Sequence, residues 1–346
     1  MCDTLTKLLQ ERNLPALGNR DEMLSLLLEQ QYGFLPPKPE TLTFEEVEKH
    51  ELRKFFPWKA CARRIVAKGT VNGKAFSFPF NAVIPVGEGK HPFFVHINFR
   101  DCVPDRYEPT EELVDHGFAV LSFCYKAVTD DNGDFTDGLA GVLSENGQRG
   151  KSDAGKIAIW AWAAQRVMDY ACTRADVLDL DRSIVCGHSR LGKTALLTAA
   201  TDTRFQFAYS NDSGCCGAAL SRGKTGETVE NITTKFPYWF CENYLQYAGR
   251  EDALPFDQHY LLASIAPRYV CVGSATGDLW AGPDSEFLSC LAASPAFEKG
   301  FCCPDRMPET GDAFLLGNIG YHRRAGLHAF SREDWNRLIQ FVLLHK

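Results

Sequence analysis

No stretch of this sequence stays apolar for long. The longer such runs, among them residues 157–164 and 341–344, fall far short of the roughly 18 residues a helix needs to cross a bilayer, so no membrane partner is expected. Near the start, the one compact apolar run (24–28) is flanked by Glu22, Met23 and Glu29. It lacks the basic start and the longer apolar stretch of an export signal, which points to a cytoplasmic protein. Excess positive charge is missing as well. The chain has 37 Lys and Arg against 44 Asp and Glu, a net charge of -7, and its cations are scattered. Nothing here would hold a phosphate backbone, and nucleic acid is not expected as a partner. Metal-ligand spacing is also lacking, since neither Cys-x-x-Cys nor His-x-x-x-His occurs. The expectation is therefore no metal and no organic cofactor. Thirteen cysteines are present, an odd number, many in apolar settings such as Cys124, Cys186 and Cys271. Free thiols of that kind act as small hydrophobes and suit a reducing compartment. The doublets Cys215-Cys216 and Cys302-Cys303 are read the same way.

What is present is enough for a large core: 45% of the 346 residues are hydrophobic and 23% charged. No repeat or low-complexity tract divides the chain. It is read as one α/β domain over 1–346, with residues 1–60 as an N-terminal helical extension packed on it. Helical spacing of Leu5, Leu8 and Leu9, and again of Met23, Leu26 and Leu27, marks that extension, with Asn19 and Asp21 as candidate caps. From 64 the texture becomes β-rich, with a hairpin of 64–71 and 75–85 around Asn72-Gly73. The runs 91–99 and 118–125 are almost continuously apolar, as strands covered on both faces are, with a helix over 109–116 between them. After a loop over 129–150, further helices are expected over 154–171, directly after Ser189, and over 260–265, 285–293 and 332–344. Further strands are expected at 183–186, 205–210, 269–274 and 313–319. Strands alternating with helices make a three-layer αβα sandwich on a mostly parallel sheet.

The strongest local signal is Ile184-Val185-Cys186-Gly187-His188-Ser189-Arg190-Leu191-Gly192-Lys193, an apolar strand entering a glycine-flanked serine and then a helix. Such a turn lifts a hydroxyl above the sheet and aims a helix N-terminus and backbone N–H groups at a developing oxyanion. That is the pattern of a nucleophile elbow in an α/β-hydrolase. It departs from Gly-x-Ser-x-Gly by carrying Leu at 191 and Gly at 192; the competing reading is an ordinary glycine turn.

Serine needs a base, and in this fold acid and histidine follow the nucleophile along the chain. His259, His322, His328 and His345 are downstream. His328 lies after the last expected strand, in the loop before the terminal helix, and is the candidate base, with His322 as rival. His259 fits a structural role and His345 a solvated tail. For the acid, Asp212 and Asp278 both follow strand C-termini, where open α/β sheets bind ligands. Position alone does not choose between them, and either could be a loop or helix cap.

With these residues in view, the chain resembles the glucuronoyl esterases of carbohydrate esterase family fifteen from about residue 95 onward. The matching blocks are Gly187 to Lys193, then Asn211-Asp212-Ser213-Gly214-Cys215, Leu254 to His259 with Ile265-Ala266-Pro267-Arg268, and Asp278-Leu279-Trp280. The resemblance implies that Ser189 attacks the ester, that His328 serves as base and then acid, and that Arg190 helps hold the oxyanion. It implies Asp212 as the favoured acid, with Asp278 as a second carboxylate. It also implies that Lys193, Glu227 and Trp280 bind the sugar: carboxylate and ammonium hydrogen-bond hydroxyls, and an indole lies against a ring. On the residues alone, Lys193 and Glu227 would read as a solvated surface pair and Trp280 as core.

The resulting expectation is a serine carbohydrate esterase that takes a small glucuronoyl or 4-O-methyl-glucuronoyl ester through an acyl-enzyme. Two alternatives are an acetyl esterase acting on acetylated xylo-oligosaccharides and a catalytically silent carbohydrate-binding protein.

Overall fold

The computed structural model describes residues 4–48, 58–103 and 105–345. Its ten strands are β1 (Thr41–Glu48), β2 (Ala60–Val71), β3 (Lys74–Pro85), β4 (His91–Asn98), β5 (Ala119–Cys124), β6 (Leu178–His188), β7 (Phe207–Asn211), β8 (Tyr269–Ala275), β9 (Ala313–Phe314) and β10 (Ile319–Arg324). They form one sheet in the order β1-β2-β3-β5-β4-β6-β7-β8-β10-β9. From β5 to β10 neighbouring strands run parallel. The flanking strands are antiparallel.

Why these strands are apolar throughout follows from the pleat. Successive side chains point to opposite faces, and both faces are covered. On β4, Phe93, Val95 and Ile97 join the larger core, while Phe94 joins a second core on the other side. On β6, Val185 faces the first and Ile184 and Cys186 the second. Among the described residues ten α-helices accompany the sheet: α1 (Thr4–Gln10), α2 (Arg20–Leu27), α3 (Thr110–Asp115), α4 (Gly138–Leu143), α5 (Lys156–Thr173), α6 (Arg190–Thr201), α7 (Val229–Lys235), α8 (His259–Ala263), α9 (Pro283–Ala293) and α10 (Arg332–Leu344). Residues of α5, α6, α8 and α9 fill the first core, and those of α3 and α10 fill the second. This is the three-layer α/β-hydrolase sandwich. No helix among the described residues is long and apolar enough to cross a membrane.

In the second core, Trp335 of α10 is buried, stacks on Phe330 at 4.4 Å and meets Phe94 edge-on at 5.4 Å. Truncating so large a buried ring costs about 3 to 5 kcal/mol. Because Phe330 ends the loop that carries His328, this packing reaches the site directly.

Two expectations are corrected. The N-terminal extension is not helical throughout. Helices α1 and α2 form, and Asn19 caps α2 by accepting from Asp21 N–H. However, 41–48 is the edge strand β1, paired with β2. Leu42 and Phe44 pack on the core while Thr41, Thr43 and Glu45 are exposed, a period of two that helical spacing upstream had hidden. Residues 1–3 and 49–57 of that extension lie outside the described residues. The last parallel strand is β10, not 313–319, where only the short β9 forms. The Asn72-Gly73 turn has positive φ at both residues (52° and 71°), which matches the right-handed twist of the β2–β3 hairpin.

The four central strands β6, β7, β8 and β10 end at His188, Asn211, Ala275 and Arg324. Ser189, Asp212, Asp278 and His328 thus emerge from the same edge of the sheet.

Candidate active site

Ser189 sits between β6 and α6 with φ 58° and ψ −127°, a strained conformation for any residue with a side chain. Its N–H donates to Asn211 O at 2.8 Å, which ties the turn to β7. The glycines around it answer to close packing. A Cβ at Gly187 would stand 2.3 Å from Leu191 O, and one at Gly192 would stand 3.0 Å from Ser210 Oγ. Leu191, at the position where the common motif has glycine, is fully buried in the larger core. The departure in the motif is therefore one of packing, and the elbow forms regardless.

One cavity of about 330 Å³ is lined by Ser189, Arg190, Lys193, Asp212, Glu227, Asp278, Trp280 and His328, with Ser213, Gly214, Lys235, Phe236, Trp239 and Ala281 completing its wall. All eight candidate site residues thus meet in one place. His328 is half-exposed there, and its Nδ1 lies 2.6 Å from Asp278 Oδ2. Asp278 also accepts from Ala281 N–H at 3.3 Å. Burial pushes the Asp278 carboxyl up, but the bond and charge of His328 outweigh it, and the group is held below the usual carboxylate range.

The preference for Asp212 as the acid is corrected by this geometry. Asp212 is buried; its Oδ1 accepts from Ala275 N–H at 2.8 Å, and its Oδ2 accepts from Arg324 at 3.0 Å and from Ala329 N–H at 3.4 Å. Burial, then the nearby Glu286, push its carboxyl well above the usual range, with Arg324 opposing. Asp212 props the histidine loop, and Asp278 holds the ring. Asp212, Asp278 and His328 are also the one group among the described residues whose ligand atoms cluster as a metal site would, within 4.8 Å. Asp278 is bound to the imidazole, and Asp212 to two backbone N–H groups and the Arg324 guanidinium.

The rival histidines are placed elsewhere. His322 lies within β10, fully buried, with Nε2 2.9 Å from Tyr209 OH. Burial lowers its pKa to about 3, so it stays neutral and enclosed. His259 Nε2 lies 2.9 Å from Pro15 O, and His345 Nε2 lies 2.8 Å from Leu315 O. His345 is thus anchored, not a free tail.

Arg190 is held more firmly than its position beside the serine suggested. Its Nη1 forms an ion pair with Asp131 Oδ2, and its guanidinium lies over the rings of Trp239 (4.7 Å), Phe236 (5.5 Å) and Phe99 (5.7 Å). Asp131 is itself fixed by Trp239 Nε1 at 2.7 Å and Tyr125 OH at 3.0 Å. Arg190 Nε is buried and has no protein hydrogen-bond partner. A guanidinium with donors in reserve suits a site where negative charge develops. Asp131, Phe236 and Trp239 were missed in the sequence. The one signal for the two aromatics is the density of rings in Phe236-Pro237-Tyr238-Trp239-Phe240, around a single turn of 3-10 helix at Pro237–Trp239.

Lys193 is buried and donates to Ser213 O, so it is no solvated surface residue. Trp280 is 57% exposed at the mouth, so it is not core. Its carbonyl accepts from Glu227 N–H at 2.9 Å, which brings the indole and the carboxylate segment together. His188, beneath the site, bonds Asn211 Oδ1 through Nδ1 at 2.7 Å and lies 4.4 Å from the His328 ring. Burial, then the neighbouring His328, lower its pKa to about 3.

A family model for fungal glucuronyl esterases matches residues 68–299. The chain belongs to the glucuronoyl esterase family. Among curated relatives, a carbohydrate esterase from an unknown prokaryotic organism is 46% identical over 198 residues, 56% of this chain and 45% of that protein. This chain thus matches under half the length of that relative. A 4-O-methyl-glucuronoyl methylesterase of Thermothelomyces thermophilus is 28% identical over 81% of this chain and 68% of its own length. Among solved structures, a glucuronoyl esterase from Solibacter usitatus superposes with a TM-score of 0.84 at 31% identity, covering 94% of this chain and 91% of that one. A promiscuous esterase of carbohydrate esterase family fifteen from a marine bacterial metagenome gives 0.84 at 30%, with the same coverage. Membership in the esterase family fits a site whose serine, histidine and carboxylate share one cavity.

Proposed function

We propose that this protein is a serine carboxylic ester hydrolase that cleaves glucuronoyl or 4-O-methyl-glucuronoyl esters of small carbohydrates. The observation that carries this reading is the 2.6 Å contact between His328 and Asp278, in the cavity that also holds Ser189 on its strained elbow. With Nδ1 engaged by the carboxylate, Nε2 is the nitrogen left to take the serine proton. Ser189 Oγ then adds to the ester carbonyl, and the oxyanion is stabilised by Arg190 and backbone N–H groups at the start of α6. His328 returns the proton to the departing alcohol, leaving an acyl-enzyme that water cleaves by the same steps reversed. Asp278 keeps the imidazole oriented and offsets its transient positive charge.

Lys193, Glu227 and Trp280 are assigned to the sugar. Cation and carboxylate fit vicinal hydroxyls, and the half-exposed indole fits a ring face. The spread of free thiols, with Cys102, Cys172 and Cys302 exposed, favours a reducing compartment such as the cytoplasm. The test is hydrolysis of methyl or benzyl glucuronate by the parent and by Ser189→Ala. The variant should lose activity by roughly a million-fold and no longer react with a serine-directed fluorophosphonate. Retained turnover in Ser189→Ala would overturn the mechanism, and strong acetyl release from acetylated xylosides without uronate cleavage would overturn the substrate.

A further inference from the structure

After β10 ends at Arg324, residues 325–330 carry His328 over the mouth of the cavity to α10. Ala325, Gly326, Leu327 and His328 are all exposed, and the loop has no apolar anchor until Phe330. A segment with so little buried surface would ordinarily sample many positions. A catalytic imidazole cannot, since misplacing a reacting group by about 1 Å can cost a hundredfold in rate.

The side chain of Arg324 turns back beneath this loop and is buried. Nη1 donates to Ala325 O at 3.0 Å and to Leu327 O at 3.2 Å. Nη2 donates to Leu327 O at 3.2 Å, to Ala329 O, and to Asp212 Oδ2 at 3.0 Å. Nε donates to Asp334 Oδ2 at 2.6 Å. Carbonyls on both sides of His328 are thus fastened to one planar group. That group is in turn braced by two carboxylates from separate elements. Asp212 follows β7, and Asp334 lies in the first turn of α10, where it also closes the capping box with Ser331. A guanidinium's five donors in a fixed fork serve these six contacts with one N–H shared between acceptors; an ammonium carries three and reaches as a point.

We infer that Arg324 is the positioning residue for the catalytic base, its guanidinium holding the His328 loop from below so that the imidazole meets Asp278 and points at Ser189. The inference rests on the hydrolase reading above. It also gives Asp212 its place: this carboxylate anchors the clamp instead of touching the ring. A brace for α10 alone would need only the contact to Asp334. The three loop carbonyls are what separate positioning from simple support.

The test uses the full-length Arg324→Lys and Asp212→Asn variants, with methyl glucuronate kinetics and one-dimensional proton NMR of the downfield Nδ1–H resonance of His328. That resonance is identified by its loss in Asp278→Asn. For Arg324→Lys, kcat should fall by roughly ten- to a hundredfold while KM stays within about threefold, and the resonance should broaden or move. Asp212→Asn, which leaves the guanidinium but removes one brace, should show a smaller fall in kcat of the same kind. An unchanged resonance with kcat within about twofold of the parent, or a loss confined to KM, would overturn the positioning role. If Arg324→Lys does not fold, Asp212→Asn decides: kcat and resonance at the parent level refute the inference. Ser189→Ala, run in parallel, keeps the two ideas apart. Activity surviving there sinks the hydrolase reading, whereas activity lost there but intact in both clamp variants sinks only the clamp.

Discussion

Replacing His322 with Gln should make the protein less sensitive to acid while leaving its esterase activity in place. His322 is fully buried on β10, and its pKa is lowered to about 3 by that burial. In the unfolded chain an imidazole titrates near 6.5. Between those two values the unfolded state binds a proton that the folded state refuses. Stability contributed by the neutral ring is therefore present above about pH 6.5 and lost as pH falls toward 3. Integrating the linkage from pH 7 to pH 5 gives a loss of about 2 kcal/mol from this one residue, a sizeable share of the roughly 5 to 15 kcal/mol a domain has in total. Other buried groups titrate in the same window. His188 acts in the same direction, and the raised carboxyls of Asp212 and Asp334 act in the opposite one. Comparing His322→Gln with the parent cancels the His188 and Asp212 terms to first order; Asp334, whose Oδ1 lies 3.9 Å from His322 Nε2, is the one term that the substitution also touches. Gln keeps a polar group near Tyr209 OH and cannot take up the proton. The assay is urea unfolding of both proteins at pH 7 and pH 5, with glucuronate ester turnover measured at pH 7. The parent should lose about 2 kcal/mol more than the variant between the two pH values, and the variant should keep its kcat within about threefold. Equal losses would mean that the folded state accepts the proton. Lost activity would return His322 to contention as the base. Either result refutes the reasoning that places it inside the sheet and out of the chemistry.

Asp278→Asn should lower kcat by roughly ten-thousandfold, because the amide no longer fixes the tautomer or offsets the imidazolium, whereas Asp212→Asn should lower it by about tenfold; steady-state kinetics on benzyl glucuronate compares them, and a reversed order would restore Asp212 as the acid. Arg190→Met should reduce kcat by about a hundred- to a thousandfold with little change in KM, the signature of a group that acts on the developing oxyanion. Gly187→Ala should destabilise the fold by about 3 kcal/mol or more in denaturant unfolding, since the new Cβ would stand 2.3 Å from the backbone oxygen and 2.5 Å from the carbonyl carbon of Leu191.

Much of the fold could be read directly, for a physical reason. Strands covered on both faces carry unbroken apolar runs, and β4, β5 and β8 appear in the sequence as such runs with their ends nearly in place. The Asn72-Gly73 pair marked its hairpin because few other residues accept two positive φ angles in succession. Reading failed where pattern and context diverged. In β1, the alternation of Leu42 and Phe44 with exposed threonines and glutamate lies next to helical spacing and a Pro-Lys-Pro segment, and a half-buried edge strand leaves only this weak trace. In β10, the run Ile319-Gly320-Tyr321-His322-Arg323-Arg324 ends in charges, which looks unlike a buried strand. Those charges are buried because Arg323 and Arg324 find carboxylates, Asp284 for one and Asp212 and Asp334 for the other.

Arg324 also explains why the acid was not legible although the nucleophile was. An elbow is a local object, in which backbone strain, flanking glycines and a following helix all fall within about ten residues of sequence, so its residues announce it. The acid of a triad is defined by which carboxylate the imidazole reaches after strands β7, β8 and β10 have been laid side by side. Two aspartates at strand ends are equivalent until something occupies one of them. Here that occupant is Arg324, a hundred and more residues along the chain from Asp212, in a stretch with no motif of its own. A buried guanidinium and two backbone N–H groups engage both oxygens of Asp212, and Asp278 is the carboxylate that bonds the ring. It follows that a change at position 324 acts on both the loop that carries His328 and the carboxylate that the imidazole does not use.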